Sequence, residues 1–106
     1  MATDRLQAIQ SDYSRAVEAR ITDLMAKVHA ARTLNSQIAD ADSQIEIGRG
    51  DVQALEADLG ATKAGSDDHA ILSEQVEGLT LAIADTEKYR DELVDALAKL
   101  VGEISG

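Results

Sequence analysis

Two histidines, twenty acids and no cysteine bound the chemistry that this chain can perform. His29 has Met25, Ala26, Arg32 and Thr33 at helical spacing, so no carboxylate stands at i±3 or i±4 to orient its ring. General acid–base catalysis needs such a partner, or a pair of carboxylates in a dry pocket. Asp67, Asp68 and His69 are the usual metal-ligating types, but consecutive helical residues point about 100° apart and do not converge. They read instead as the capped first turn of a helix. No serine has a partner that would make it a nucleophile. Without cysteine there is no thiolate, no disulfide and no sulfur-bound zinc. The residues predict no enzyme, no cofactor and no metal.

Three longer fragments echo known motifs and lack what their chemistry requires. Gly60-Ala-Thr-Lys-Ala-Gly65-Ser66-Asp67 has the two-glycine spacing of a phosphate loop, yet no lysine follows Gly65 and no strand precedes Gly60. Asp40, Asp42, Gln44, Ile47 and Asp51 resemble part of a calcium loop, but its central glycine is Ile45 here and its final glutamate is Asp51. Arg49-Gly50-Asp51 matches an adhesion tripeptide, and the N-terminal residues lack the apolar core of a secretion signal. The preferred readings are a helix-to-helix turn, solvated acids on a helix, and a chance tripeptide.

Composition points to helices that face other helices. The chain has 106 residues, no proline, no Phe or Trp, and only Tyr13 and Tyr89 as aromatics. Its apolar content comes from Ala, Leu, Ile and Val, as in bundles and coiled coils. Net charge is −10, and residues 51–106 hold thirteen acids against four bases. Such a field repels phosphate backbones and anionic membranes. Direct nucleic-acid binding is not expected. No run reaches the roughly 18 apolar residues of a membrane span, so a soluble, cytoplasmic setting is expected.

The apolar spacing defines the rods. Leu6, Ile9, Tyr13, Val17, Ile21 and Leu24 cover 18 residues in five steps, the 3.6-residue period of a straight amphipathic helix. From Leu24 through Val28, Ala31, Leu34, Ile38, Ala41, Ile45, Gly48, Val52, Leu55 and Leu59 the step averages 3.5, which implies a left-handed supercoil. A second heptad ladder places Leu72, Leu79, Thr86, Leu93 and Leu100 at d, with Val76, Ile83, Arg90, Leu97 and Ile104 at a. Thr86 and Arg90 are its polar members, and such residues commonly set register and oligomer state. Arg90 is expected either to pair with an acid on a facing helix or to run its stem along the seam toward water. Tyr89, Val94, Ala96 and Val101 widen the apolar face beyond what one helix covers.

These rods predict an all-α chain: a long antiparallel helical hairpin, with a three-helix bundle as the alternative. One domain spans residues 1–106, with a helix over about 3–59, a turn at 60–67 and a helix over 68–104. Thr3 is a candidate cap for the first helix, and Ser66 or Asp67 for the second. A kink or break is expected at Gly48-Arg49-Gly50, where each glycine costs roughly 1 kcal/mol relative to Ala, or near residues 33–36. At 1.5 Å per residue the first helix measures about 85 Å and the second about 55 Å. Folded back, the second reaches only to about residue 23, and Leu6 to Ile21 overhang. An apolar stripe of that length normally marks a contact surface.

The expected function is therefore a non-catalytic structural or assembly subunit, likewise an oligomer or part of a larger complex. Its expected protein interface comprises Leu6, Ile9, Tyr13, Val17, Ile21 and Leu24, with Tyr89, Val94 and Val101. Acidic, alanine-rich helical chains of this kind resemble bacteriophage virion and scaffolding components. The Trp-x-Gly turn of small secreted type VII hairpins is absent, and the heptad phase kept from Ile45 to Val52 departs from the central strands of prefoldin subunits. The alternatives are an acidic module that mimics nucleic acid on a basic protein surface, and a small helical chaperone.

Overall fold

A computed structural model describes residues 2–106. Two helices, α1 (Ala2–Ala61) and α2 (Asp67–Ser105), fold back on one another as an all-α hairpin. Its extents are 94 × 18 × 14 Å and its radius of gyration is 26.1 Å, about twice the roughly 13 Å of a compact domain of this length. The long dimension is that of α1 alone, since sixty residues rise about 90 Å.

The two heptad ladders form the seam. From Leu24 to Leu59 and from Leu72 to Ile104, every ladder residue is buried or half-buried, and Thr62 and His69 extend the seam to the turn. Gly48 lies against Ile83 and fixes the register. Counting outward along both helices, Ile45 stands level with Thr86, Ala41 with Arg90, Val52 with Leu79 and Leu34 with Leu97. Gly48 and Ala41 thus oppose the larger Ile83 and Arg90, whereas Ile45 opposes the smaller Thr86, so that large and small residues alternate across this stretch of the seam. The core is thin: Ala41 at 4% exposure, Ile45 at 2%, Leu93 and Gly48 are its buried members.

The turn is short because the helix persists beyond the first glycine. Gly60 is helical, and α1 ends two residues later than the spacing predicts. Thr62 Oγ1 donates to the Asp58 carbonyl at 2.7 Å, and the Thr62 N–H to that of Leu59 at 3.2 Å. Gly65 then takes φ +83°, the left-handed conformation that glycine adopts without steric penalty. Ser66 caps α2: its hydroxyl accepts from the His69 N–H at 3.2 Å and donates to the Lys63 carbonyl at 2.6 Å. Asp67 and Asp68 occupy the first turn, where their charge complements the helix dipole.

Three expectations are corrected. The three-helix bundle does not form, because α1 is continuous through residues 33–36; Thr33 Oγ1 donates to the His29 carbonyl, while Asn35 and Ser36 face outward without ending the helix. Gly48-Arg49-Gly50 is helical throughout and does not break α1: Gly48 packs against Ile83 of α2 and Arg49 pairs with Glu87, while Gly50 faces open space. Thr3 is not a cap, because α1 already includes Ala2.

Candidate functional site

Where α2 stops, α1 continues alone. Ile104 is the last α2 residue in the seam, and every residue from Ala2 to Asp23 is exposed. This overhang carries the 3.6-period stripe, with Leu6 55%, Tyr13 70% and Val17 38% exposed and Ile9 and Ile21 between them. Leu24, half-buried, joins the stripe to the seam. At 100° per residue, Leu6, Ile9, Tyr13, Val17 and Ile21 all lie within about 60° of the Leu24 direction. The apolar face of the hairpin therefore runs on, uncovered, for some 33 Å of helix.

At the step between the covered and uncovered parts, Ile21, Leu24, Met25, Val28, His29 and Arg32 line a groove. Met25 and Val28 were not among the candidate interface residues. Val28 was in the seam ladder, and Met25 lies outside both periodic series; only the point at which α2 ends reveals the groove. His29 is exposed on its rim. Lys27 Nζ pairs with Asp23 Oδ2 at 3.1 Å, one turn away on the same helix.

Arg90 sits at its core position with its head group at the edge. Nη1 donates to Asp42 Oδ1 across the hairpin at 3.1 Å, and Nε donates to the neighbouring Asp91 Oδ1 at 3.3 Å. The Asp42 hydrogen bond holds the guanidinium above its already high pKa, partly opposed by desolvation. Ala41, level with Arg90, is small enough to let the stem lie along the seam. Of the two sequence expectations for Arg90, the structure shows the first, a pairing with an acid on the facing helix. Thr86 satisfies its hydroxyl locally, donating to the Ala82 carbonyl at 2.9 Å. Arg49, the residue after Gly48, donates from Nη2 to Oε1 of Glu87, one helical turn beyond Ile83, at 2.8 Å. The Arg49-Gly50-Asp51 tripeptide is therefore helical, with its arginine engaged by α2.

Tyr89, Val94 and Val101 are each about half exposed, so the widened face of α2 is not covered by this chain. Ile47, Ile71 and Leu81 are further exposed apolar residues that neither ladder singled out. The His and carboxylate groups bring no three side chains together among the described residues. No helix of the described residues is long and apolar enough to cross a membrane. Comparisons with protein-family models, curated proteins and solved structures find no match to this chain.

Proposed function

We propose that this chain is a non-catalytic assembly subunit that associates with protein through the uncovered stripe of α1. The observation that carries this reading is the overhang, whose apolar residues continue the seam face but have no helix opposite them. The exposure of the stripe supports it: Leu6, Ile9, Tyr13 and Ile21 are each more than half exposed, and a contiguous apolar patch of this kind marks a protein contact. A virion or a scaffolding complex is the setting that such subunits resemble in kind.

The test is light-scattering mass for the wild type and for an Ile9→Asp, Val17→Asp variant. Both positions lie outside the hairpin seam, so the variant should keep its helical spectrum. It is expected to lose the association that the wild type shows. An association equally strong in the variant would contradict the role of the stripe.

A further inference from the structure

We infer that the occupant of the stripe is a second copy of this chain, bound antiparallel over residues 2–24 about a two-fold axis near Tyr13. The inference rests on the assembly reading above and adds a partner, an orientation and a register.

Steric access sets the orientation. On the seam face of α1, α2 fills the line alongside residues 24–61. A second α1 laid parallel on residues 2–23 would collide with the end of α2 as it continued past its own Leu24. Laid antiparallel, it begins where α2 stops and runs away past Ala2 into open space. The partner's α2 then lies in line with the first chain's α1. The product is a rod two helices thick throughout, in which each uncovered stripe is closed by an identical one.

Charge favours the same arrangement. Residues 2–23 hold four acids and three bases, whereas the hairpin from residue 24 to Ser105 holds sixteen acids and seven bases. Antiparallel overlap joins the near-neutral segments and sends the two acidic hairpins to opposite ends. About an axis near Tyr13, Leu6 comes opposite the partner's Ile21, Ile9 opposite its Val17, and Tyr13 meets its own copy.

The absence of cysteine makes the register readable by single-thiol oxidation. Tyr13→Cys alone should give a covalent dimer. Leu6→Cys and Ile21→Cys should each fail alone and cross-link when mixed before oxidation. Scattering should give a maximum dimension of about 155 Å, two lengths of 94 Å less an overlap of about 33 Å. Cross-linking of Leu6→Cys with itself would overturn the orientation. An oligomeric mass with no cross-link in any arm would overturn the occupant and register while leaving the assembly reading standing. A monomer at all concentrations would overturn both.

Discussion

Gly48 faces Ile83 so closely that a Cβ on Gly48 would lie 2.9 Å from Ile83 Cγ1 and 3.1 Å from Cδ1. One helical turn toward each side of this contact come Thr86 beside Ile45 and Leu79 beside Val52, so this pair anchors the register of the hairpin. The Arg49–Glu87 and Arg90–Asp42 ion pairs close the same stretch of seam from outside.

Gly48→Ala and Gly50→Ala are expected to act in opposite directions. Nothing lies within 4 Å of a Cβ at Gly50, so alanine there gains about 1 kcal/mol of helix propensity. At Gly48 the same gain meets an overpacking cost of about 1–3 kcal/mol against Ile83. Thermal unfolding should show Gly50→Ala raised and Gly48→Ala unchanged or lowered. Ile83→Ala introduced with Gly48→Ala should recover part of the loss in a double-mutant cycle.

The turn has its own test. Gly65→Ala forces a side chain into left-handed backbone and should cost about 1–2 kcal/mol. Ser66→Ala removes the cap of α2 and should cost about 1 kcal/mol. Denaturant midpoints for the two variants check both values. Gly60→Ala, within α1 and in open space, should stabilise instead.

Arg90→Leu is expected to raise the thermal midpoint and broaden the mass distribution. A polar residue at a core position lowers stability but restricts the alternatives, and leucine would remove both effects. Light scattering together with thermal unfolding reads the two quantities separately. An unchanged, uniform mass would count against a register role for Arg90.

Much of the hairpin was legible because its seam obeys one rule. The residues that alternate in steps of four and three from Leu34 to Leu59, and again from Leu72 to Ile104, are those the fold buries or half-buries. The length mismatch was legible too, since rise per residue alone places the end of α2 near residue 23, and the residues up to Asp23 are the exposed ones. Gly48 was harder to read. Intrinsic propensity treats it as a weak point in a helix, whereas its role depends on the size of the residue opposite, which one helix does not reveal. The groove at Met25 and Val28 was obscured in the same way, because it exists only where a second helix ends. Arg90 was readable as an exception in the ladder, but its partner Asp42 depends on register.

Mass in solution, measured by light scattering across a range of concentrations at low salt and at 1 M salt, bears most directly on the central claim. An apolar stripe closed by a second chain should give twice the 11.3 kDa chain mass, and it should persist at 1 M salt, where exposed ion pairs are screened over about 3 Å. A species of 11.3 kDa at every concentration and both salt levels would contradict it.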